Sequence, residues 1–475
     1  ETVIYANFGL LNPNEQNVEI TIRRNCFMPA ENGISYIWVS GFTLCKAATQ
    51  WAPPTAYQDG LIGPHWSKGW RIEDCNIYES KCCGISLGKY YQEDNENKWT
   101  KIKYKDGTQT QRECVLEASY NDWDKEHVGF HLIRNCEIHD CGQAGIIGHM
   151  GCVFSRIEKN HIYNINNKCE LLGAEIGGIK LHAAIDTVIS SNKIHNCTRG
   201  IWLDWQAQGT QVTRNLMYNN TLPIDLENKT EREVENYLPF LGEDLFIEVS
   251  HGPTLVDNNV FLSLRAIKLA AQGIAFIHNL IAGSFTCVGT GTNNGTVNLP
   301  SPRYTPYHVK HDTKVAGFMT ILHGDIRIFR NIFIQTEVHN VYRKWQSNCD
   351  NNIWSTEWDN HNYDVGTAIF DEYLTEEEWK SKFKRYCGLG SEASDIYYDT
   401  LPVWIDENIY LNGAKSYCKE LHKYNDYESN LLPILNTSSL VAAFEPEQDF
   451  ESCEGQTFSI DYDFFGNKRD KLTHI

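Results

Sequence analysis

The sequence lacks the features by which proteins bind nucleic acids or cross membranes. Its formal net charge is −19, and its lysines and arginines are scattered, whereas a surface that binds phosphates needs a basic stripe. No run of about 18 apolar residues occurs, as a membrane-spanning helix would require, and the mean hydropathy is −0.43. We therefore expect no nucleic-acid partner and no membrane span.

Paired CxxC motifs and an export signal are also missing. The chain contains 16 cysteines, but Cys82 and Cys83 are adjacent, which suits neither a tetrahedral zinc site nor a redox motif. We expect no metal and no other cofactor. The first residues form neither a basic n-region nor an apolar h-region, so any signal peptide is expected to have been removed already.

A repeated motif organises most of the chain. Each copy has a short β-branched run, an Asn, an apolar pair, a polar corner and a Gly-Ile-x-Leu segment. The repeated asparagines are 25, 32, 23, 44, 20 and 52 residues apart, and the shorter spacings match one coil of a parallel β-helix. Stacked Asn side chains can bond the backbone at each bend. The repeat predicts an all-β fold, a right-handed parallel β-helix with loop insertions, and places the ladder at Asn135, Asn160, Asn192, Asn215, Asn259, Asn279 and Asn331.

The repeat also divides the chain. Residues 1–45 have a different rhythm, in VEITIRRNCF and ISYIWVSGF, and are predicted to be terminal strands of a partial β-sandwich or a lead-in to the helix. Residues 46–475 are predicted to form the β-helix domain, with insertions at 219–243 and 285–325 and a C-terminal extension. The segment DEYLTEEEWKSKFKRY from Asp371 begins with acids and ends with bases, which predicts a helix lying on the solenoid.

The Gly-Ile-x-Leu segments also align the residues that follow them. Because side chains alternate across a strand, the second and fourth positions point into the core and the fifth points outward. Neighbouring strands lie about 4.8 Å apart, which predicts roughly 5 Å between two carboxyl groups on successive coils. The outward column is Gly88, His149, His182, Asp204, Glu248 and Ala270.

The carboxyl spacing depends on residues 219–243 forming a loop rather than an extra coil. The segment TLPIDLENKTEREVENYLP is too polar to supply three buried strands, which favours the loop. Outward acids often simply face water, but two His, two Trp and a Lys lie in the same rungs, which favours a catalytic site. Of two close carboxyl groups, one is expected to have a raised pKa and to act as the acid.

Seven blocks of sequence, in the same order, resemble one enzyme family. They are ATQWAPPTA from Ala48, GLIGPHWSKGW from Gly60, GISLGK from Gly84, GAEIGGIKLHAAID from Gly173, RGIWLDWQAQGTQVTRNL from Arg199, DLFIEVSHGPTLVDNNVFLS from Asp244 and LPVWIDENIYLNGAK from Leu401. These blocks resemble the β-xylosidases of glycoside hydrolase family 120. The resemblance implies a right-handed β-helix with an intervening β-sandwich, and release of xylose from the non-reducing end of β-1,4-xylo-oligosaccharides with retention.

The resemblance also implies roles for individual residues. The WLDW segment places the nucleophile at Asp204, the DLFIEV segment places the acid/base at Glu248, and the GAEI segment implies that Glu175 contacts the sugar. Family members have a longer N-terminal part, so either a second chain completes the fold or the protein has lost that part. The partners considered are therefore the oligosaccharide substrate and either a second chain or a homo-oligomer. The remaining candidate substrate contacts are His149, His182, His251, Trp51 and Trp205.

The sequons and cysteines bear on the compartment. Sequons would be glycosylated on a eukaryotic secretory route, although an Asn-rich chain also forms them by chance. Together with disulfides among the cysteines, they predict an extracellular or secretory protein; Cys75, Cys136 and Cys197 are instead expected to stack as thiols at coil corners. The five sequons begin at Asn196, Asn219, Asn228, Asn294 and Asn436.

Two other functions remain open from the residues alone. A polysaccharide lyase would require a calcium cluster of several acids with an Arg or Lys base, whereas the outward column offers two acids beside His and Trp. A non-catalytic relative would use the same fold for glycan binding or for an extracellular assembly, and retention of both carboxylates speaks against it.

Overall fold

The chain coils repeatedly through three parallel sheets and returns to each of them once per coil. This computed structural model describes residues 3–51, 58–88, 107–171, 175–220, 242–287, 303–344, 363–383, 399–428, 431–441 and 447–469. Along a coil the chain passes from sheet 1 to sheet 2 and then to sheet 3, and each strand pairs in parallel with the strands of the coils above and below it.

Most strands are short, as expected for a β-helix. In the described residues, sheet 1 contains ten strands: Trp38–Ser40, Arg71–Glu73, Leu132–Arg134, Arg156–Glu158, Val188–Ser190, Thr210–Thr213, Thr254–Asp257, Gln272–Ile277, Gly324–Phe329 and Val403–Asp406. Sheet 2 contains, over the same ranges, eleven: Thr43–Ala47, Asn76–Ser80, Glu137–His139, His161–Tyr163, Lys193–His195, Leu216–Tyr218, Val260–Phe261, Leu280–Ile281, Ile332–Ile334, Asn408–Leu411 and Lys423–Tyr424. Sheet 3 has eight described strands: Gly60–Ile62, Cys83–Ser86, Ala144–His149, Gly177–His182, Ile201–Asp204, Leu245–Glu248, Arg265–Ala270 and Ser284–Cys287.

The core is a stack of aliphatic side chains inside the coils. On sheet 3 the second positions of the Gly-Ile-x-Leu segments pair directly from coil to coil and are completely buried. Burying such a side chain contributes about 1.5–3 kcal/mol to folding, so repetition along the solenoid fixes the register of the whole sheet. The stacked residues are Ile85, Ile146, Ile179, Ile201, Leu245 and Ile267.

A ladder of buried asparagines runs between sheets 1 and 2. In each rung the backbone N–H and the side-chain Nδ2 both donate to Oδ1 of the next Asn, as in the pair Asn192 and Asn215 at 2.9 and 3.0 Å. Six of the seven predicted positions belong to the ladder, and Asn408 extends it. The prediction for Asn135 was wrong: Cys136 occupies that rung and donates its N–H to Asn160 Oδ1 at 2.9 Å.

Several elements lie outside the coils. Helix α1 (Gly107–Ala118) was not predicted, whereas α2 (Glu376–Phe383) confirms the helix expected after Asp371. Helix α2 begins five residues later than its acidic segment because Thr375 caps it: Thr375 Oγ1 accepts from Glu378 N, and the Glu378 carboxylate accepts from Thr375 N at 2.8 Å. The described helices include none that is long and apolar enough to cross a membrane.

An antiparallel hairpin and three short 3-10 helices complete the described structure. The hairpin strands are Tyr304–His308 and Val315–Thr320, and the 3-10 helices are Pro13–Glu15, Ala368–Phe370 and Thr437–Ser439. The hairpin and the last strand of sheet 3, Ser284–Cys287, fall within or border the predicted insertion at 285–325, so that region contains regular structure. Residues 288–302 of that insertion, and residues 221–241 of the other, lie outside the described residues.

The N-terminal region differs from its predicted division. Trp38–Ser40 and Thr43–Ala47 already belong to sheets 1 and 2, so the β-helix begins before residue 46. The segment VEITIRRNCF contains no described strand, and its one pairing is a bridge between Phe27 and Ile62. The solenoid begins where Val39 is buried in the continuous core, because an apolar residue there can pack on the next coil.

The cysteines of the described ranges are all free thiols. Cys75, Cys136 and Cys197 are buried along the coils, as the stacking interpretation predicts. The expected disulfides are therefore not found among the fourteen cysteines that the structure describes.

Candidate active site

The outward column lies on sheet 3 in the predicted register. His149 pairs with His182, His182 with Asp204, Asp204 with Glu248, and Glu248 with Ala270. The strands of Asp204 and Glu248 pair directly. Residues 219–243 therefore do not insert an extra coil between them, as predicted. Gly88, the predicted first member, lies beyond the end of its strand at Ser86.

The backbone turns sharply after four of these column residues, His149, His182, Asp204 and Glu248. Met150, Ala183, Trp205 and Val249 have φ values of 73°, 53°, 49° and 43°, a left-handed conformation that is costly for residues with a side chain. Hydrogen bonds to the next coil hold the turns in place; Trp205, for example, donates its N–H to the carbonyl of Glu248 at 2.8 Å. Both carboxylates therefore lie at strand ends fixed by main-chain contacts.

Asp204 lies in a buried cluster of charged groups. Its Oδ2 accepts a hydrogen bond from Lys180 Nζ at 2.7 Å and lies 3.3 Å from His182 Nε2. Lys180 also contacts Glu175, and its Nζ is 2.7 Å from His182 Nε2. Burial and the neighbouring Glu248 raise the pKa of Asp204 to about 6, although Lys180 and His182 act in the opposite direction.

Glu175 is the buried counter-ion on the far side of Lys180. Its Oε2 accepts from Gln58 Nε2 at 3.1 Å. Burial alone would raise the pKa of Glu175, but Lys180 and His182 hold that pKa well below its usual range. Glu175 is therefore an anion that holds the Lys180 side chain in place.

The same cluster contains groups of the kinds that bind metals. The ligand atoms of Glu175, His182 and Asp204 lie within 4.8 Å of one another. Lys180 Nζ contacts all three residues, so an ammonium group supplies the positive charge that these carboxylates require. The chain itself thus supplies a cation that both carboxylates share.

Glu248 lies in a different environment, in which both carboxylate oxygens are engaged. Oε1 accepts from Arg303 Nη1 at 2.6 Å, and Oε2 accepts from Trp202 Nε1 at 3.2 Å. Burial would raise the pKa of Glu248, but Arg303, Lys180 and Arg199 lower it below its usual value. The carboxyl group whose pKa is raised is therefore Asp204, and not Glu248, the acid that the family resemblance implies.

A second outward column borders the first and was not predicted as part of the site. It is formed by the third positions of the Gly-Ile-x-Leu segments, whose members pair directly across sheet 3. Strand alternation could have identified it, because these positions also point away from the core. The column is Ser86, Ile147, Lys180, Trp202, Phe246 and Lys268.

Cations lie against the two aromatic rings of this second column. Lys180 Nζ lies 4.3 Å from the Trp202 ring centre, and the Arg199 guanidinium lies 4.4 Å from Trp202 and 4.7 Å from Phe246. Glu243 pairs with Arg199 at 3.0 Å and with Arg265 at 2.8 Å. The wall beside the two carboxylates is therefore both apolar and positively charged.

Two of the other predicted substrate contacts, His149 and Trp205, lie close to the carboxylates or to their neighbours. His149 lies beside His182, with ring centres 5.2 Å apart, and its Nε2 is 3.1 Å from Gln111 of α1. Trp205 packs under Arg303 at 4.9 Å.

Two predicted residues lie apart from the carboxylates. His251 is buried and faces Thr305 of the hairpin, with its Nε2 3.3 Å from the carbonyl oxygen. Trp51 is 44% exposed, and no described contact joins it to the site.

Comparisons with known proteins bear on the fold and the family. A family model described as a right-handed beta helix region matches residues 62–294, which confirms the handedness expected from the repeat. A solved structure described as the complex structure of XylC with xylose is similar at 40% sequence identity and a TM-score of 0.79, over 98% of this chain and 68% of that chain. A search of curated proteins finds no match. From the sequence blocks and this likeness, the chain belongs to the β-xylosidases of glycoside hydrolase family 120 and is a glycosidase.

Proposed function

We propose that the protein releases xylose from the non-reducing end of β-1,4-xylo-oligosaccharides and retains the anomeric configuration. The observation that carries this proposal is the direct pairing of Asp204 with Glu248 on neighbouring strands. Such strands are about 4.8 Å apart, which suits the roughly 5–5.5 Å between the carboxyl groups of retaining enzymes rather than the roughly 6.5–9.5 Å of inverting ones. The likeness to a xylose-bound structure supports xylose as the sugar.

The chemistry would proceed by double displacement. Asp204 attacks the anomeric carbon of the terminal xylose while Glu248 gives its proton to the leaving oxygen, which breaks the glycosidic bond. Glu248, now ionised, then removes a proton from water, and the water oxygen displaces Asp204 from the anomeric carbon. Xylose leaves with the configuration of the bond that was cut.

The neighbours of Asp204 suit a nucleophile. Lys180 donates to Oδ2 and orients the carboxylate, leaving Oδ1 without a hydrogen bond among the described residues. We propose that Oδ1 is the attacking atom. When Asp204 loses its charge in the covalent intermediate, Lys180 keeps Glu175 as a counter-ion, so the buried ammonium is never left unpaired.

The same neighbours suit recognition of sugar hydroxyls. Glu175, His182 and His149 line the side of Asp204 away from Glu248, where the non-reducing sugar would lie. Trp205 and Trp202 flank Asp204 in sequence, and Trp202 is the better candidate for an apolar wall because it lies in the second outward column beside Glu248.

Product analysis tests the proposal directly. Hydrolysis of 4-nitrophenyl β-xyloside, followed by proton NMR before mutarotation, should show β-xylose as the first product, and first-formed α-xylose would refute retention. Xylotriose labelled at its reducing end should lose unlabelled xylose first. A panel of other aryl glycosides tests the sugar, and formation of an unsaturated product from an acidic polysaccharide would instead indicate a lyase.

A further inference from the structure

Arg303 makes a contact with Glu248 that the proposed mechanism does not use. Its guanidinium lies 2.6 Å from Glu248 Oε1 and 4.9 Å from the centre of the Trp205 ring. The Arg303 side chain is 12% exposed and that of Glu248 10%, so water screens the pair only weakly. This is a strong, partly buried ion pair at the proposed acid/base.

Arg303 directly precedes the first hairpin strand, Tyr304–His308, and its backbone is bonded within the hairpin. Ile321 donates its N–H to the Arg303 carbonyl at 3.0 Å and so closes the open end of the hairpin. At the other end, His308 lies 2.9 Å from Gln206 Nε2, and Thr313 donates to the Trp123 carbonyl at 2.6 Å. The hairpin therefore contacts other parts of the chain at its turn end, and the pairing of Arg303 with Glu248 joins its open end to the β-helix.

The ion pair conflicts with the first step of catalysis. Glu248 must carry a proton to act as an acid, and a cation at hydrogen-bond distance opposes protonation. Other charged groups near Glu248 are the cations Lys180 and Arg199, with Lys268 further along the column, and the anion Asp204. Arg303 is the cation that lies at hydrogen-bond distance from the carboxylate, 2.6 Å from Oε1, so it is the main opponent of protonation.

We propose that Arg303 is a positioning residue that holds Glu248 ionised and thereby sets the alkaline limit of hydrolysis. This inference rests on the proposed function. In the first step Arg303 restricts activity to a pH at which Glu248 still takes up a proton. In the second step the same contact favours the ionised Glu248 that removes a proton from water. Arg303 thus opposes the protonated Glu248 that the first step needs and favours the ionised Glu248 that the second step needs.

The test compares Arg303→Gln with Arg303→Lys across pH. Loss of the cation should move the alkaline limb of kcat/KM for xylobiose upward by about one pH unit or more, whereas the lysine variant should keep its limb near that of the wild type. Arg330→Gln is the matched control, because Arg330 forms a similar pair with Glu407 at 2.6 Å in another coil. That control should leave the limb unchanged.

Two results would overturn the proposal. A uniform fall in kcat/KM at every pH, with the limb unmoved in Arg303→Gln, would mean that Arg303 is merely structural. An equal limb shift in the Arg330 control would mean that the shift does not come from the site. Thermal unfolding of each variant establishes that the compared enzymes are folded.

A measurement without turnover separates this proposal from the proposed function. Carbon-13 NMR of carboxyl-labelled glutamate, with Glu248→Gln to assign the signal, follows the ionisation of Glu248 directly. Its pKa should rise in Arg303→Gln, and an unchanged value would refute control by Arg303. If the wild type hydrolyses no xyloside at any pH, the proposed function fails, and this titration still decides whether Arg303 controls Glu248.

Discussion

Two columns of buried polar side chains run along the same β-helix and are built differently. The asparagine ladder repeats one neutral amide, and each Oδ1 accepts from the next-lower rung's backbone N–H and Nδ2. The column on sheet 3 changes residue from rung to rung, and its two carboxylates are paired with Lys180 and Arg303, which come from outside the column. The asparagines form their hydrogen bonds with one another, whereas the two carboxylates depend on cations from outside their column.

The two columns have different roles: the neutral ladder stabilises the coils, and the charged column carries the active site. A neutral amide ladder leaves few buried groups unsatisfied, so it can extend over many coils and stabilise them. Buried carboxylates are costly unless cations compensate them. The charged column is accordingly confined to a few coils of sheet 3, and its rungs carry the site.

The largest expected effect is loss of the nucleophile. Asp204→Asn keeps the shape of the side chain and a hydrogen-bond acceptor for Lys180, and should lower kcat on aryl xylosides by about 10⁴ or more. Asp204→Ala should abolish hydrolysis similarly. The melting temperature should stay close to that of the wild type, and activity surviving either change in folded protein would refute the assignment.

Removal of the acid/base should have an effect that depends on the leaving group. Glu248→Ala should slow hydrolysis of xylobiose by about 10²–10⁴, but much less for 2,4-dinitrophenyl xyloside in the first step, because that leaving group needs no proton. Azide should restore turnover and trap β-xylosyl azide. Equal losses on both substrates, without rescue, would contradict an acid/base role.

A substitution in the asparagine ladder should lower stability and leave catalysis unchanged, the opposite of the two catalytic substitutions. Asn215→Ala leaves the N–H and Nδ2 of Asn192 without their acceptor, while Asn259 keeps the backbone donor of residue 215 and loses only Nδ2. This should lower the free energy of unfolding by about 1–3 kcal/mol. Urea unfolding measures this loss, and kcat per folded molecule should not change. Asn425→Ala, at an exposed position outside the ladder, is the control; an equal loss there would undermine the comparison.

A smaller effect is expected at a third type of buried polar contact. His311 lies between two carboxylates, with Nδ1 2.9 Å from Asp186 and Nε2 3.0 Å from Glu451. The hydrogen bond to Asp186, more than Glu451, raises the pKa of His311, against the effect of burial. A raised pKa stabilises the fold fully below the unfolded value of about 6.5, and this stabilisation is lost as the pH rises through the folded value.

Thermal unfolding over a range of pH checks that expectation. His311→Gln should lower the melting temperature more at about pH 5.5, where unfolded His is mostly charged, than at about pH 9, where both states are neutral. A loss that does not vary with pH would show that His311 acts only through neutral hydrogen bonds.

The predictable parts of the fold are those that repeat. Ile179 and Ile201 could be placed because strand alternation and coil length leave one register. The same logic placed His182, Asp204 and Glu248 in one column. It failed at Asn135 because a polar residue precedes the ladder position in many coils, and the pattern does not distinguish the two neighbours.

The parts of the site that were not predicted lie outside the repeat or at the third position of the Gly-Ile-x-Leu segments. Lys180 occupies the x position of its segment, where any residue fits the pattern. Arg303 lies in a stretch without the motif, and only the hairpin brings it to Glu248. Helix α1 was missed for the same reason, although its Gln111 reaches His149. A local sequence pattern cannot predict contacts between segments that are far apart in the chain.

The direct pairing of Asp204 with Glu248 also bears on how such enzymes can be altered. Gly200 and Ile201 donate their N–H groups to the carbonyls of Glu243 and Asp244, both at 2.8 Å, so the chain rejoins the sheet one rung above the point it left. The spacing of the two carboxylates is therefore independent of how many residues lie in between. We expect insertions or deletions between Asn220 and Gly242 to leave this spacing unchanged, because the residues that pair the two strands lie outside that stretch.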